Sequence, residues 1–361
     1  MANEIMKTRL KILVLSRYSE LGASSRLRIN QYFPYFEDNN LSYKVTPFFN
    51  EKYLKDLYAK NRISVVNIIY LYIRRFLLIF TVKKYDLIWI EKEVFPYMPS
   101  FIESVITLFN VKYIVDYDDA IFHNYDRFKS NLFRKKFNTL LQKSSLVIAC
   151  NEYLLSYARK CGANNTLQVP TVVDMNKYHQ KEYGVINQEF RIGWIGSPST
   201  TKYLYILKNV LEKISKKYNI RLVIIGGSEL KNFNVPMEIH NWSEETENTL
   251  LQSLDIGVMP LFETKWEKGK CGYKLIQYMA TGLPVIASNF GFNKKVVDKK
   301  IGFLVNDDNE WELALEYFIK DRSQIQIFGE KSRIKAENYY SLLSWSHIML
   351  KKFQSLAASK L

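Results

Sequence analysis

The sequence predicts an α/β protein with two doubly wound, Rossmann-like domains in series, because of its strand pattern, its alternation and its length. Short apolar runs rich in β-branched residues recur along the 361 residues, with helical stretches between them. Near-continuous apolar strands are typical of parallel sheets that helices cover on both faces. At about 100–200 residues per domain, the chain length suits two domains.

The predicted strands form two groups. They lie at 10–16, 43–48, 85–91, 112–117, 146–150 and 167–171, and then at 191–196, 220–227, 254–260, 283–288 and 302–305. We therefore predict domains at 1–175 and 176–340, joined through the polar segment 174–190. Residues 341–361 carry apolar side chains at helical spacing, which predicts a helix that packs back toward the first domain.

Composition excludes several classes of protein. Hydrophobic residues make up 47% and charged residues 24%, which excludes wholesale disorder. Three cysteines without a CxxC pair exclude a disulfide framework and a zinc ribbon, and four scattered histidines argue against a zinc hydrolase. The first apolar stretch is only six residues long, so it predicts a strand rather than a signal peptide, and we expect a cytoplasmic protein.

The net charge of +15 indicates anionic partners. Both halves are basic, because residues 1–175 hold 25 basic and 16 acidic residues and residues 176–361 hold 26 and 20. Nucleic acid is the least favoured partner, since the basic residues are spread along the chain with no RNP-like or helix-turn-helix pattern. Anionic lipid and phosphorylated substrates both remain open.

Residues 65–82, VVNIIYLYIRRFLLIFTV, are the most apolar segment of the chain. Arg74 and Arg75 stand at its centre, and each costs about 2.5–3.5 kcal/mol in a bilayer core. A membrane-spanning helix is therefore disfavoured. Two alternatives remain: an interfacial helix on an anionic membrane surface, or a core helix of the first domain.

Ligands of open α/β sheets bind beyond the carboxyl ends of the strands, so the loops after the strands are the candidate sites. The loop after the first strand contains Gly22, Ala23, Ser24 and Arg26, small and basic residues that lead into a helix. We predict substrate contact there, through backbone NH groups that can hold an anion. The alternative is a flexible loop with a serine cap and solvated arginines.

Asp116, Asp118 and Asp119 follow the strand at 112–117. Carboxylates this close repel one another, so a cation or a raised pKa should hold them. They could bind a divalent metal, face a sugar or a proton in transfer, or cap the next helix. We predict no obligatory metal site, a structural role for Asp116, and contact with the reacting groups for Asp118 or Asp119.

Two loops of the second half indicate an anion site. Gly196, Ser197 and Lys202 lie in GSPSTTK, where small hydroxyl residues precede a helix predicted at 203–218. Further on, Lys270 and Lys274 stand four residues apart at a predicted helix start, an arrangement that is unfavourable without an anion between them. Cys271 is predicted to be a small packed residue rather than a nucleophile.

The stretch GKCGYKLIQYMATGLPVIASNFG at 269–291 resembles the donor-binding region of GT-B glycosyltransferases of family 4. The resemblance extends to LKILVLSRYSELGASSRLR, VPTVVD, LLQSLDIGVMPL and SLLSWSHIMLKKF, and so covers most of the chain. The forms GKCGxK and DYDDAIF resemble a bacterial subgroup that builds surface polysaccharides such as O-antigen or capsule. The implied fold is GT-B, with two Rossmann-like domains facing a central cleft and a C-terminal crossover helix.

The resemblance implies a retaining, metal-independent glycosyltransferase that uses a nucleotide diphospho-sugar as donor and needs no further cofactor. It implies a lipid-linked oligosaccharide acceptor at the cytoplasmic face of the inner membrane, where the protein would be peripheral. The implied catalytic residues are Asp118, Asp119 and Lys270, and the acceptor residues are Gly22, Ala23, Ser24 and Arg26. The implied donor residues are Gly196, Ser197, Lys202, Gly227, Lys270, Cys271, Gly272, Tyr273, Lys274 and Gln277.

The sequence departs from the family pattern at the donor site. Gly269 stands at the first acidic position and Gln277 at the second, where a carboxylate usually contacts the ribose; Glu267 is the nearest substitute for the first. Ser197 replaces a usual arginine, and Lys202 is displaced by one position. Two alternatives follow: a GT-B sugar-nucleotide epimerase, or a non-catalytic protein that binds sugar nucleotide or nucleic acid.

Overall fold

The computed structural model describes residues 9–59, 61–184 and 188–359. It divides the chain into two compact units, one from Met1–Thr171 with Leu342–Leu361 and the other from Val172–Ser341. Parts of three predicted features lie outside the described residues. They are residues 1–8 ahead of the first strand, 185–187 of the linker and 360–361 of the C-terminal segment.

The first unit is built on a parallel six-stranded sheet in the order β2-β1-β3-β4-β5-β6. Its strands are β1 (Leu10–Leu15), β2 (Leu41–Val45), β3 (Leu87–Glu91), β4 (Tyr113–Tyr117), β5 (Leu146–Ala149) and β6 (Thr166–Gln168). Every residue of β3, β4 and β5 is buried, as expected for strands that helices cover on both faces.

Helices of this unit connect the strands. They are α1 (Ala23–Arg28), α2 (Phe33–Asp38), α3 (Glu51–Tyr58), α4 (Val65–Ile79), α5 (Ser100–Glu103), α6 (Asn131–Arg134), α7 (Asn138–Gln142) and α8 (Glu152–Lys160). Asn50, Ser64 and Asn151 cap α3, α4 and α8 through their side-chain oxygens, which accept from backbone NH groups of the first turn.

The second unit contains a second parallel six-stranded sheet, in the order β12-β11-β10-β7-β8-β9. Its strands are β7 (Phe190–Ile195), β8 (Ile220–Ile225), β9 (Met237–His240), β10 (Ile256–Met259), β11 (Val285–Ser288) and β12 (Gly302–Val305). Its helices are α9 (Lys208–Ser215), α10 (Glu244–Gln252), α11 (Lys265–Lys268), α12 (Tyr273–Ala280), α13 (Asn293–Val296), α14 (Asp308–Lys320) and α15 (Ser323–Tyr340).

The last helix, α16 (Leu342–Ala358), belongs to the first unit. Phe353 is fully buried, with its ring centroid 5.7 Å from that of Phe36 on α2 and 5.1 Å from that of Trp89 on β3. The Tyr35 hydroxyl lies 3.1 Å from Nδ1 of His347. The chain therefore returns to its first sheet after completing the second.

The α/β prediction with two sheets is confirmed, and all eleven predicted strands are present. One further strand of the structure, β9, was not predicted, because its sequence MEIH is short and only partly buried at the edge of its sheet. The helix predicted at 203–218 was wrong in its bounds. A 3₁₀ segment occupies Pro198–Leu207, and α9 begins only at Lys208.

Helix α4 is apolar on two sides that differ in exposure. Leu71, Arg75 and Ile79 are buried, whereas Val66 and Leu77 are 78% and 61% exposed. Arg75 donates to the carbonyls of Ser16 and Thr46, and Arg74 donates to that of Phe48 at 3.1 Å, so both central arginines fix the helix to loops that follow β1 and β2. A fully buried core helix is thus excluded. Within the described ranges, no helix is long and apolar enough to span a membrane.

Candidate active site

Charged side chains of the first unit converge where β3 and β4 end. Lys92 directly follows Glu91, the last residue of β3, and its ammonium lies 2.7 Å from a carboxylate oxygen of Asp118. The same ammonium donates to the Ser24 hydroxyl at 2.8 Å and lies 3.9 Å from Asp119. Ser24 lies 3.0 Å from Glu91 Oε1 and 2.5 Å from Asp118 Oδ2. Three predicted residues are therefore brought together by a lysine that the sequence analysis did not single out.

The lysine and the aspartate stabilise each other's charged form. Burial would lower the pKa of Lys92, but Asp118 and then Asp119 raise it above its usual value. Burial would raise the pKa of Asp118, but Lys92 and the Ser24 hydroxyl lower it to about 2. The repulsion expected among the aspartates is thus relieved by an internal cation.

The backbone of Lys92 has φ 65°, in the left-handed region. That region costs a non-glycine residue about 1–2 kcal/mol. The buried ion pair with Asp118 gives the side-chain reason for tolerating this conformation at a strand end.

Asp116 lies deeper than its two neighbours. It is fully buried, and Arg28 Nε donates to its Oδ1 at 2.6 Å. Arg28 also donates to the carbonyls of Val169 and Pro170, at 2.7 and 3.0 Å. Burial raises the pKa of Asp116 to about 6 in spite of this arginine. Arg28 is therefore not the solvated residue that one alternative expected, and the pair ties α1 to β4.

The other predicted acceptor residues surround the start of α1. Gly22 precedes the helix, and a Cβ there would lie 2.4 Å from Cβ of Tyr18, so only glycine allows this approach. Ala23 is exposed and Arg26 is half-buried. Arg26 does not precede the helix but lies in the last turn of the six-residue helix α1.

A second charged network beside this cluster was missed by the sequence analysis. Arg17 pairs with Glu93, and the Lys136 ammonium lies 2.9 Å from Glu93 and 3.2 Å from Glu103. All four residues are buried. The sequence EKE at 91–93 lies at the end of the strand predicted at 85–91. The rule that ligands bind beyond the carboxyl ends of strands would therefore have indicated these residues.

In the second unit, glycines bring two loops close together after β7 and β8. A Cβ on Gly227 would lie 2.8 Å from Oγ1 of Thr201, which accepts from the NH of Ser228 at 2.9 Å. A Cβ on Gly196 would lie 2.7 Å from Nζ of Lys274. Small residues at these points thus leave room for a lysine from α12 at the carboxyl edge of the sheet.

Lys274 lies at this edge beside an aromatic ring. Its Nζ is 4.0 Å from the centroid of the Trp194 ring. None of the ion pairs recorded for the described residues includes it. Burial, and then the charge of Lys270, lower the pKa of Lys274 to about 7. An anion bound here would be stabilised electrostatically and would restore the charged state of the amine.

The geometry of the two lysines differs from the prediction. Helix α12 begins at Tyr273, and Gly272 precedes it with φ 67°, so Lys270 lies outside the helix and the two lysines do not share a helical face. They nevertheless interact electrostatically. Cys271 is half-buried and forms no disulfide among the described residues. The Tyr273 hydroxyl lies 3.4 Å from that of Tyr178.

The remaining predicted donor residues lie on the loop after β7. Ser197 is exposed and precedes the 3₁₀ segment, and its carbonyl accepts from the NH of Thr200 at 2.9 Å. Lys202 is exposed, with Nζ 5.8 Å from the ring centroid of Tyr203. The loop therefore presents backbone and hydroxyl groups but no buried cation of its own.

Glu267, the suggested substitute for the acid missing at Gly269, is buried. Its carboxylate accepts from the Tyr203 hydroxyl at 2.6 Å and from Thr264. Burial would raise the pKa of Glu267, but the hydroxyls of Thr264 and Tyr203 lower it. This carboxylate is engaged by side chains of its own unit.

Gln277 is only 4% exposed, and it does not present its amide to solvent. Its Nε2 donates to Oε1 of Glu247 on α10 at 2.8 Å and to the Tyr178 hydroxyl at 3.2 Å. Glu247 was not predicted as a site residue, because nothing in the local pattern of α10 links it to a residue thirty positions later.

Among residues 9–59, 61–184 and 188–359, no group of three or more His, Cys, Asp or Glu side chains is arranged to hold a metal ion. Whether the protein needs a metal remains a prediction.

Two units, each built on a parallel six-stranded sheet with helices, are the architecture of the GT-B fold, and solved structures show the same architecture. A glycosyltransferase from Rickettsia africae matches with a TM-score of 0.74 at 15% identity, over 98% of this chain and 100% of that one. Sucrose-phosphate synthase from Thermosynechococcus elongatus matches with a TM-score of 0.72 at 15% identity, over 97% of this chain and 100% of the synthase. HepE of Anabaena, solved with UDP and glucose, matches with a TM-score of 0.69 at 16% identity, over 96% of this chain and 100% of HepE.

Sequence comparison agrees with this fold. Residues 189–321, within the second unit, match the family described as Glycosyl transferases group 1. The capsular polysaccharide biosynthesis glycosyltransferase CapM of Staphylococcus aureus is 25% identical over 205 residues, which are 54% of this chain and 53% of CapM. The match thus spans about half the length of that curated relative.

Proposed function

We propose that the protein is a retaining glycosyltransferase that moves a sugar from a nucleotide diphospho-sugar to a saccharide acceptor in the synthesis of a bacterial surface polysaccharide. The observation that carries this proposal is Lys274, an amine beside Gly196 at the carboxyl edge of the second sheet, with Lys270 close enough to lower its pKa. The group 1 family match over residues 189–321 and the match to a capsule glycosyltransferase support it.

The donor diphosphate is the anion that this edge suits. When the glycosidic bond breaks, negative charge develops on the departing phosphate oxygens, and the ammonium groups of Lys270 and Lys274 stabilise it. A phosphate oxygen then accepts the proton of the attacking acceptor hydroxyl, on the same face of the sugar. This route gives retention and needs no divalent metal, because the lysines take the place of the metal charge.

The first test is donor binding, measured as thermal shift with UDP, GDP, CDP and ADP and their glucose conjugates. UDP-glucose is the first probe, because the similar HepE structure contains UDP and glucose. A ligand at 100 times its Kd stabilises the folded state by about 2.7 kcal/mol. Failure of all probes to bind would contradict the proposal, and turnover of the sugar nucleotide without glycosyl transfer would favour an epimerase instead.

We assign the acceptor to the carboxyl edge of the first sheet. Asp118 and Asp119 would contact the reacting sugar or the acceptor hydroxyl, and Ser24 with the loop around Gly22, Ala23 and Arg26 would bind the acceptor saccharide. Because Lys92 already balances Asp118, this edge suits a neutral, hydroxyl-rich ligand. Asp118→Asn should lower the turnover number more than it weakens donor binding.

The acceptor is proposed to be lipid-linked, with the protein peripheral on the cytoplasmic face of the inner membrane. The outward face of α4 and its C-terminal end carries a contiguous set of exposed apolar side chains: Val65, Val66, Ile69, Tyr70, Ile73, Phe76, Leu77 and Phe80. Arg62, Lys83 and Lys84, all exposed, lie just before and after this set. Apolar insertion and attraction to anionic lipid, about 1 kcal/mol per basic residue, would act together.

Co-sedimentation with vesicles tests the membrane proposal. The protein should bind vesicles that contain phosphatidylglycerol, dissociate in high salt, and lose binding in the variant Leu77→Glu/Phe80→Glu. Leu313→Glu, at an exposed leucine on α14 of the other unit, is the matched control and should leave binding unchanged. Equal binding by both variants would contradict a role for α4.

A further inference from the structure

Glu247 lies at the carboxyl edge of the second sheet, surrounded by neutral hydrogen-bond donors. Its Oε1 accepts from Gln277 Nε2 at 2.8 Å and from the Tyr178 hydroxyl, and its Oε2 accepts from Trp242 Nε1. The ion pairs recorded for the described residues do not include Glu247; on the same helix, Glu244 takes the lysine, Lys177. A carboxylate oriented by three neutral donors still has a lone-pair position for a further hydrogen bond.

The neighbours of Glu247 form a surface suited to a nucleoside. Trp242 is 39% exposed, and its Cβ lies only 2.8 Å from the position that a Cβ on Gly226 would occupy. Gly226 directly follows β8, so the indole lies beside the same loops that approach Thr201 and Lys274. An exposed indole offers a stacking face for a base, and a carboxylate accepts from ribose hydroxyls, as in other nucleotide-binding α/β domains.

We infer that Glu247 is the carboxylate that binds the donor's ribose, and that Gln277 is a positioning residue that holds it. The family resemblance implied that the Gln277 amide itself would face the ribose; the structure instead buries that amide against Glu247. The acid missing from α12 is therefore supplied by α10. This inference rests on the proposed function, since it names how the same donor site recognises a ribonucleotide.

The test compares ribonucleotide and deoxyribonucleotide binding by isothermal titration. The probes are whichever of UDP, GDP, CDP and ADP binds most tightly, with its 2′-deoxy and 3′-deoxy counterparts. The wild-type protein should prefer the ribonucleotide over at least one counterpart by about 10- to 100-fold, the range expected for a hydrogen bond to a charged group. Glu247→Gln should lose most of that preference.

A charge-swap variant separates positioning from folding. Gln277→Glu/Glu247→Gln keeps one carboxylate and one amide in the same contact, and it should recover part of the preference. Glu245→Gln removes an equal charge from an exposed position two residues away on α10, and it should behave as wild type.

The outcomes distinguish the two proposals. If no ribonucleoside diphosphate binds the wild-type protein, the proposed function fails and this inference fails with it. If a ribonucleotide binds but the preference over both deoxy counterparts is absent, or survives unchanged in Glu247→Gln, only the inference is overturned.

Discussion

The carboxyl edges of the two sheets both carry charged groups but balance them differently. At the first edge, Lys92 lies against Asp118 and Ser24, and Arg17 and Lys136 pair with buried glutamates. At the second edge, Lys274 has an aromatic ring beside it rather than a carboxylate. A balanced edge needs no charged ligand, whereas an unbalanced cation is relieved when an anion binds. The difference supports a neutral acceptor on the first unit and a diphosphate donor on the second.

The largest expected effect is on stability, at the balanced edge. Lys92→Met leaves Asp118 buried without its cation, and breaking such a pair costs about 3–5 kcal/mol. Chemical denaturation should therefore show a clear loss of unfolding free energy. The double variant Lys92→Met/Asp118→Asn should recover most of it, because both charges are then gone. No recovery in the double variant would show that Lys92 stabilises the fold by other contacts.

At the unbalanced edge, the same kind of substitution should affect catalysis instead. Lys274→Ala, or Lys270→Ala, should lower kcat/KM, because a donor to developing charge is lost. The expected loss of transition-state stabilisation is about 2.7–4 kcal/mol. The melting temperature of the free protein should stay nearly unchanged, since no internal ion pair of Lys274 is broken. Lys265→Ala, at an exposed lysine of the neighbouring helix α11, is the control. Wild-type kinetics in Lys274→Ala would sink the diphosphate assignment.

A smaller effect separates the two edges by pH. Lys274 in the free protein has a pKa of about 7, and a bound diphosphate would raise it, so binding takes up a proton above pH 7. The Kd for UDP-glucose should rise with pH above 7, by up to about tenfold per unit, and Lys274→Met should remove the slope. The Lys92–Asp118 pair should contribute no such slope, because the pKa of Asp118 is about 2 and that of Lys92 is raised. A slope that persists in Lys274→Met would assign it elsewhere.

The smallest expected effect is that of metal removal. Since Lys92 already neutralises Asp118, we expect the aspartates to need no divalent cation, and EDTA should leave the rate of glycosyl transfer unchanged. Activity that is lost in EDTA and restored by Mn²⁺ would overturn this expectation and favour a metal site at Asp116, Asp118 and Asp119.

Local sequence was sufficient for the sheets and for part of each site. Apolar β-branched runs predicted eleven strands. Burial on both faces gives a strand a continuous apolar sequence, and this local pattern does not depend on the order of the strands in the sheet. The rule that ligands bind at carboxyl ends then indicated Ser24, Asp118, Asp119, Gly196 and Lys274. The apolar pattern missed β9, a short edge strand. The rule about carboxyl ends overlooked Lys92 only because it was not applied to the loop after β3.

Tertiary structure decided which of these groups face one another. The contacts of Lys92 with Ser24 and of Glu247 with Gln277 join residues 68 and 30 positions apart, so they depend on strand order and helix packing rather than on any local period. The left-handed Gly272 likewise moved the start of α12 past Lys270, which a regular spacing could not foretell. Sequence periodicity records which side chains are buried, but the pairing of buried charges is set by the distances that the folded chain creates.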